Sequence, residues 1–221
     1  GPRAFESGRL VGSTQTPHAK TDIGTGIYLP SAARRLSVVY TVNRLIASAA
    51  RLRWGSRLAP WISEPQRGFV RGRSLLQNVW EMEQVAMRTA LEQQEGMIML
   101  FDFAAAFPSM AKKFIARSLR HAGLPDTARS IIDALYSQNR CLISSGGATF
   151  EGFAMQSGVR QGCPLSPLLY VIAADSLLRA LRMALLQGHC WGYADDTSLL
   201  THVWKVDMPR IEPTFDEFDN L

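Results

Sequence analysis

Two adjacent carboxylates, Asp195 and Asp196, are the residues best suited to chemistry in this 221-residue sequence. They separate two short apolar segments, 188–192 and 197–203, whose residues suit half-buried strands. Because Asp is tolerated in turns, the sequence predicts a hairpin with this acid pair at its tip. Adjacent carboxylates repel each other, so the pair is easiest to retain where a divalent cation binds both. A pair of solvated turn residues is the commoner meaning of so short a motif.

A third carboxylate, Asp102, occupies a matching position. It follows residues 97–101, an apolar run that predicts a buried strand, and it precedes residues 103–108, where the chain should turn into a helix. A carboxylate at the end of one strand, facing a carboxylate pair on a neighbouring hairpin, is what two-metal phosphoryl transfer requires. We therefore predict that Asp102 meets Asp195 and Asp196 in the folded protein.

The composition is typical of a globular chain with a modest excess of basic residues. Hydrophobic residues make up 47% of the sequence, and 24 Lys+Arg against 19 Asp+Glu give a net charge of +5 and a pI near 9.4. This balance permits nucleic-acid binding without proving it. The 3 cysteines are far apart and form no Cys-x-x-Cys pair. Neither a structural zinc site nor a disulfide framework is predicted, and a reducing compartment is expected.

The sequence does not favour export or membrane insertion. The N-terminus lacks the basic-then-apolar pattern of a signal peptide. The longest apolar run, 165–186, is interrupted by Asp175, Arg179 and Arg182, so we predict a packed amphipathic helix and not a membrane span. We expect no membrane partner and no secretion.

The remaining pattern predicts the elements that must position the acids. Ser74 with Gln77 has the form of a capping box that starts a helix ending near Gln93, and Ser166 as cap with Pro167 begins a long helix. Other helices are predicted at 41–60, at 108–122 and from 125, and strands at 139–144 and 149–155. Residues 1–30 are predicted to be irregular, with short strands near 9–11 and 26–29, and residues 208–221 to begin one more helix.

Two loops combine glycines with polar or basic side chains. Residues 66–74 contain three arginines and two glycines, which suit either a solvated turn or a phosphate contact made by a flexible backbone. Residues 156–167 form a glycine-rich entry to a helix N-terminus, where a phosphate could approach. An ordinary loop–helix junction is the commoner explanation of that second pattern. Both alternatives stay open for each loop.

Four motifs, in this order, resemble those of reverse transcriptases, most closely those of LINE-like (non-LTR) retrotransposons, with group II intron enzymes more distant. They are Gln66–Ser74, Phe101–Phe107, Gly158–Pro167 and Tyr193–Asp196, and the resemblance covers roughly 31–205. It implies an α+β fold with a polymerase palm (an antiparallel sheet backed by helices), a largely helical fingers region and no thumb. The implied domains are an irregular N-terminal segment (1–30), the fingers (31–95), the palm (96–207) and the start of a truncated palm helix (208–221).

The resemblance also implies a metal site and a nucleotide site. Asp102 and Asp195 would ligate two Mg²⁺ ions, for which Mn²⁺ can substitute, with Asp196 supporting the pair and Phe103 as a further residue of the metal site. Phe107 would stack under the sugar and exclude a 2′-hydroxyl, although core packing alone would also explain its ring. The other implied nucleotide-binding residues are Ala106, Gln161, Gly162, Arg73 and Arg34, and the implied template or primer contacts are Tyr193, Arg71 and Arg160.

The implied activity is that of an RNA-directed DNA polymerase (reverse transcriptase), which joins deoxynucleoside triphosphates to the 3′-hydroxyl of a DNA primer on an RNA template. The alternative is a degenerate, inactive retroelement fragment that at most binds nucleic acid. An RNA-templated RNA polymerase is disfavoured, because the turn reads Tyr-Ala-Asp-Asp and not Gly-Asp-Asp, and because Phe107 would obstruct a ribonucleotide.

The sequence departs from the family pattern in several places. Arg34-Arg35-Leu36 lacks the usual proline, and Pro108 stands where many relatives have Asp. No thumb follows and no endonuclease precedes these motifs. We therefore expect further domains of a larger polyprotein, and a nuclear or cytoplasmic location for such a retroelement protein.

Overall fold

The computed structural model describes residues 9–14, 19–20, 26–27, 33–92, 95–103, 106–137, 139–145 and 148–219. In these ranges the strands are β1 (Arg9–Thr14), β2 (Ala19–Lys20), β3 (Gly26–Ile27), β4 (Ala33–Val38), β5 (Met97–Phe101), β6 (Arg140–Ser145), β7 (Ala148–Ala154), β8 (Gly188–Tyr193) and β9 (Asp196–Thr201). The helices are α1 (Thr41–Leu58), α2 (Leu75–Leu91), α3 (Ala106–Ser109), α4 (Lys112–His121), α5 (Asp126–Tyr136), α6 (Ser166–Ala184) and α7 (Trp204–Asp219). This mixture of helices and mainly antiparallel strands confirms the predicted α+β class.

The predicted hairpin, β8 with β9, belongs to a three-stranded antiparallel sheet of order β5-β9-β8. In the central strand, Leu199 and Leu200 are both buried, although consecutive side chains point to opposite faces. Both faces must therefore be covered. Helix α6 packs against β8, and helix α2 packs against β8 and β9.

Helix α6 is the central helix of the fold. Most of its residues are buried, as the apolar pattern predicts, and its one acidic residue, Asp175, is fully buried. That carboxylate bonds Arg179 at 2.7 Å and accepts from the Ser63 N–H at 3.1 Å, which satisfies the charge inside the protein. No helix in the described ranges has the length and apolar character needed to cross a membrane.

Helix α7 contacts the β5-β9-β8 sheet through Asp207, which is fully buried. Its carboxylate accepts from the Thr201 hydroxyl at 2.5 Å and from the Leu186 N–H at 3.0 Å. Asp207→Ala would leave both donors unsatisfied, so we expect it to lower the free energy of unfolding by about 3 kcal/mol. Urea denaturation measures this loss. Glu212→Ala, at an exposed position of α7, is the control, and equal midpoints for the two variants would contradict the role of Asp207.

The N-terminal strands form a second sheet of order β4-β1-β6-β7. Strand β1 pairs antiparallel with β4 and parallel with β6. The predicted palm range, 96–207, therefore includes a hairpin that pairs with the N-terminal strands and not with β5, β8 and β9. The short strands predicted near 9–11 and 26–29 correspond to β1 and β3, but the pairing of β1 with distant strands is not visible in a local pattern.

Several predicted helix ends differ from the structure. The helix predicted from Pro108 to Ala122 is two helices, α3 and α4, because the Met110 carbonyl accepts from the Gly158 N–H at 2.8 Å outside any helix. Ser166 is the first residue of α6 and not its cap, and its hydroxyl bonds the Tyr136 hydroxyl at 2.8 Å.

At the start of α2, the predicted capping box is only half present. Ser74 caps the helix by accepting from the Leu76 N–H at 3.3 Å. The Gln77 side chain instead donates to Glu81 at 3.2 Å. The last helix begins at Trp204, four residues before the predicted start.

Candidate active site

The turn between β8 and β9 contains two of the predicted catalytic carboxylates. Tyr193 pairs with Asp196, so Ala194 and Asp195 are the central residues of a tight turn. Ala194 has φ 60°, in the left-handed region that L side chains rarely adopt. Asp195 is half-buried and Asp196 is exposed, so both carboxylates are presented at the end of the sheet.

The strand register brings Asp102 to the same end of the sheet. Phe101, the last residue of β5, pairs with Thr197, so the exposed Asp102 follows at the level of Asp196. Although Asp196 is largely exposed, partial desolvation beside the turn raises the pKa of its carboxyl, and the negative charges of Asp195 and Asp102 raise it further. These three carboxylates, here called the acid cluster, therefore share one electrostatic neighbourhood.

The acid cluster suits a hard divalent cation by its donor atoms and its charge. Carboxylate oxygens are ligands that Mg²⁺ takes, and a cation would relieve the repulsion that raises the pKa of Asp196. Within the described part of the chain, no three Asp, Glu, His or Cys side chains are close enough together to hold a metal ion ready-made. The cluster thus offers suitable ligands but not a preformed cage.

Replacing Asp196 with asparagine should stabilise the metal-free protein at neutral pH. The pKa of the Asp196 carboxyl is higher in the folded protein than in the unfolded chain. The carboxyl therefore contributes to stability at a pH below its unfolded pKa. This contribution is lost as the pH rises through the folded pKa. At pH 7 we expect a gain in Tm of about 1–2 °C, small because the site is open to solvent. At about pH 3 the gain should disappear, because the carboxyl is then mostly protonated in both states.

Calorimetry with and without Mg²⁺ would measure both effects. Mg²⁺ should raise the Tm of the wild type more than that of Asp196→Asn, since only a folded site binds the ion. Glu83→Gln, at an exposed position of α2, is the control. A lower Tm for Asp196→Asn than for the wild type at pH 7 would show that the acid cluster is not repulsive.

The start of the 66–74 motif contacts this hairpin through a single parallel β-bridge between Gln66 and Gly192. The Arg67 N–H donates to the Gly192 carbonyl at 2.8 Å, and the Gly192 N–H donates to the Pro65 carbonyl at 3.0 Å. Gly68 is so close to the turn that a Cβ there would lie 2.0 Å from the Ala194 nitrogen. Residues 66–74 and 193–196 are therefore in direct main-chain contact.

The Arg67 side chain joins α2 to the same hairpin. It is buried, and its terminal nitrogens bond the two carboxylate oxygens of Glu81 at 2.8 and 2.7 Å. These bonds lower the pKa of Glu81 and keep it ionised. The Trp191 indole N–H donates to Glu81 at 3.0 Å, and the Asn78 amide donates to the Gly192 carbonyl at 3.0 Å.

The second and third motifs meet at Phe107. Its ring stacks on Tyr170, with centroids 4.8 Å apart and an interplanar angle of 8°, and meets the Phe69 ring edge-on at 6.3 Å. The Val159 N–H donates to the Phe107 carbonyl at 2.9 Å. Burial raises the pKa of the Tyr170 phenol, and the charges of the acid cluster raise it further, so Tyr170 links the Phe107 ring to the acids. The four motifs thus surround one site.

Comparison with known families agrees with this arrangement. Residues 22–217 match the family described as reverse transcriptase (RNA-dependent DNA polymerase). The chain belongs to the reverse transcriptase family. The match includes all four motifs and extends beyond both ends of the predicted 31–205 resemblance.

Similar curated proteins come from retrotransposons. The Transposon TX1 uncharacterized 149 kDa protein of Xenopus laevis is 29% identical over 191 residues, which are 81% of this chain and 14% of that protein. A retrovirus-related Pol polyprotein from the type-2 retrotransposable element R2DM of Drosophila melanogaster is 29% identical over 116 residues, or 52% of this chain and 11% of that protein. Both are non-LTR retrotransposon proteins, which confirms the predicted LINE-like resemblance. The reverse transcriptase chain spans less than a fifth of either relative.

Solved telomerase structures share the fold. Apo telomerase from Candida tropicalis, truncated from its C-terminal domain, has a TM-score of 0.65 at 12% identity, covering 96% of this chain and 46% of that one. Telomerase from Candida albicans in complex with an RNA fragment has a TM-score of 0.57 at 10% identity, covering 99% and 41%. At such identities the likeness shows the fold alone, and that fold agrees with the predicted α+β class.

Arg73 packs against main-chain carbonyls of its own loop, and its phosphate contact stays a prediction. Its two terminal nitrogens are already directed at main-chain carbonyls, which fold the 59–66 segment around the guanidinium. The acceptors are the carbonyls of Ser63 at 2.5 Å, Gln66 at 2.7 Å, Ile62 at 3.0 Å and Ala59 at 3.3 Å. These four bonds use the N–H donors of both terminal nitrogens and leave the Nε–H outside them.

Arg160, a predicted template or primer contact, is buried inside the protein. Its side chain is 1% exposed and lies over the Tyr136 ring, 4.8 Å from the centroid. One terminal nitrogen donates to the Leu135 carbonyl at 3.0 Å. The arginine therefore packs the 158–167 loop against α5, away from solvent.

The other predicted ligand-binding residues remain available, and their roles stay predictions. Arg71 is exposed, Gln161 is half-buried, and Gly162 is exposed with φ 94°, a conformation that favours glycine. Ala106 is buried beside Phe107, and Tyr193 is half-buried at the end of β8. The Phe103 ring packs against Phe215 and Phe218 of α7, so only its main-chain carbonyl could reach a metal. Arg34 lies in β4, and its side chain falls outside the described part of the structure.

Sequence reasoning missed two residues of this site, Gln66 and Tyr170. Gln66 bonds the Ala194 main chain, and Tyr170 stacks on Phe107. Gln66 is a polar residue in a loop, and Tyr170 falls within an apolar helix pattern, so neither stands out locally. The available signal was position, because Gln66 is the first residue of one family motif and Tyr170 lies one helical turn after the end of another.

Proposed function

We infer that this reverse transcriptase is an RNA-directed DNA polymerase that adds deoxynucleotides to a primer 3′-hydroxyl. The acid cluster supports this most directly, because Asp102 is distant in sequence from Asp195 and Asp196 and yet shares their electrostatic field. Retention of all three acids favours catalysis over the alternative of an inactive fragment.

Asp102 and Asp195 would ligate two Mg²⁺ ions, and Asp196 would support the pair, with Mn²⁺ as a substitute. When bound, the ions would lower the pKa of the primer hydroxyl and neutralise charge on the triphosphate. The carboxylates would hold this chemistry at the hairpin tip. No Ser–His or Cys–His pair is needed, because the primer hydroxyl itself is the nucleophile.

Phe107 would select deoxynucleotides by placing its ring under the sugar. The ring is fixed from behind by Tyr170, and Ala106 beside it is small, so the ring can lie flat against the nucleotide. Gln161 and Gly162 would line the same pocket. A 2′-hydroxyl would collide with the ring, which is a steric filter.

An RNA template with a DNA primer would lie across the site, held mainly by backbone charge. The net charge of +5 and the exposed Arg71 support such contacts. The curated relatives are several times longer than this chain, so a thumb and other domains of a longer polyprotein would complete the grip on the duplex.

The test is primer extension on poly(rA)/oligo(dT) with Mg²⁺, by the full chain fused at residue 221 to a polymerase thumb. We expect extension by deoxythymidine triphosphate, loss of extension with a chelator, and recovery on adding Mg²⁺ or Mn²⁺. Failure of this fusion to extend a primer it demonstrably binds would overturn the polymerase proposal. Nucleic-acid binding with no extension is the result that the inactive alternative predicts.

A further inference from the structure

The Ala194 peptide adopts a conformation that its own side chain opposes. Its φ of 60° is strained for any residue with a Cβ, and no glycine relieves the strain at this turn. Asp195 follows immediately, so the direction of its carboxylate depends on the orientation of the Ala194 peptide. Something outside the turn must hold that peptide in place.

Gln66 contacts both main-chain groups of Ala194. The Ala194 N–H donates to the Gln66 side-chain oxygen at 2.9 Å, and the Gln66 side-chain nitrogen donates to the Ala194 carbonyl at 3.3 Å. A primary amide is the side-chain group that can accept and donate in this way at once. Gln66 is 1% exposed, so water does not compete for these bonds.

The amide of Gln66 is itself fixed from several sides. The Gly68 N–H donates to the same side-chain oxygen at 2.9 Å, which sets which way the amide faces. The Gln66 carbonyl accepts from Arg73 at 2.7 Å, and the neighbouring Arg67 N–H is bonded to Gly192 at 2.8 Å. These bonds hold the Gln66 amide in place before any substrate binds.

We propose that Gln66 is a positioning residue that holds Ala194 in its left-handed conformation and so directs the Asp195 carboxylate into the acid cluster. Gln66 bonds the main chain of the turn, so it acts through Ala194. This role rests on the proposed function, because orienting Asp195 matters for catalysis only if Asp195 binds the metal ions.

The test compares Gln66→Met, which keeps the length of the side chain and removes its amide, with Gln84→Met on the exposed face of α2 as the matched control. In the thumb fusion, Gln66→Met should lower kcat about 30-fold, as expected for the loss of its two buried hydrogen bonds to Ala194. It should also raise the Mg²⁺ concentration needed for half-maximal rate, while the Kd for primer–template changes less than about two-fold. Unchanged kcat and Mg²⁺ dependence would overturn the proposal.

Rescue separates positioning from general stability. Glycine adopts a positive φ freely, so adding Ala194→Gly to Gln66→Met should recover much of the lost kcat. A double variant as slow as Gln66→Met would show that Gln66 does not act through Ala194. If Gln66→Met fails to fold, Gln66→Asn, which keeps the amide one methylene short of its partners, provides the same comparison.

Hydrogen exchange in the full chain gives a readout that needs no metal, nucleotide or thumb. The Ala194 amide should exchange about 10-fold faster in Gln66→Met than in Gln84→Met, because its buried acceptor is gone. Equal exchange rates of this amide in the two variants would show that Gln66 does not hold the Ala194 peptide, even if primers were extended normally. Conversely, a wild type that extends no primer but protects this amide would overturn only the proposed function.

Discussion

Asp195→Asn should reduce primer extension by about 1,000-fold or more, although the variant should fold normally. Asparagine has the shape of aspartate but lacks the charge and one of the two oxygens that a metal ion would use. Asp195 is half-buried at the turn, and the contacts that fix the turn involve the main chain of its neighbour Ala194. The loss should therefore be chemical, not structural. Single-turnover extension with the thumb fusion measures it.

Asp133→Asn is the matched control for that experiment. Asp133 is an exposed carboxylate on α5, and its replacement should leave the rate within about two-fold of wild type. A further check is the metal itself, because Mn²⁺ binding followed by electron paramagnetic resonance should weaken in Asp195→Asn and not in Asp133→Asn. Full activity of Asp195→Asn would remove the metal-ligand assignment.

The hairpin that carries Asp195 could be predicted because its information is local. Two apolar segments flank a short polar turn, and the structure has strands where that pattern places them, at Gly188–Tyr193 and Asp196–Thr201. Helix α6 was equally clear, since its apolar residues recur over five turns and become the core. Periodicity of this kind needs no knowledge of distant partners.

The N-terminal sheet could not be predicted in the same way. Strand β1 pairs with β6, more than a hundred residues later, and the register of Leu10 with Ile143 has no local signature. A short strand near 9–11 is predicted locally, but its two neighbours in the sheet are not. Long-range pairing is decided by burial and topology, which a single sequence does not display.

Charged side chains near a candidate site were the least predictable. Arg73 and Arg160 have the type and position of phosphate ligands, yet one folds a loop around its guanidinium and the other is buried on an aromatic ring. An arginine offers five donors, and main-chain carbonyls satisfy them as well as phosphates do. Sequence alone does not tell these uses apart, whereas burial and the named acceptors do.

Phe107→Ala should admit ribonucleotides, lowering the preference for deoxynucleotides by about 100-fold. The Phe107 ring is held flat by its stack on Tyr170 and cannot easily move aside, because the Val159 N–H also fixes its main chain. Removing the ring opens space for a 2′-hydroxyl without touching the acid cluster. The deoxynucleotide rate should fall by less than about 10-fold, since the sugar loses one apolar contact.

The ratio of kcat/KM for deoxy- and ribonucleoside triphosphates, measured on one primer–template with the thumb fusion, decides this prediction. Phe150→Ala on β7 removes an equally large ring from an exposed position and should leave the ratio unchanged. If Phe107→Ala discriminated as well as the wild type, the filter would lie elsewhere, and Phe107 would be a packing residue for Tyr170. A selective change in the ratio, with Mg²⁺ dependence intact, would instead separate sugar selection from metal binding within the same site.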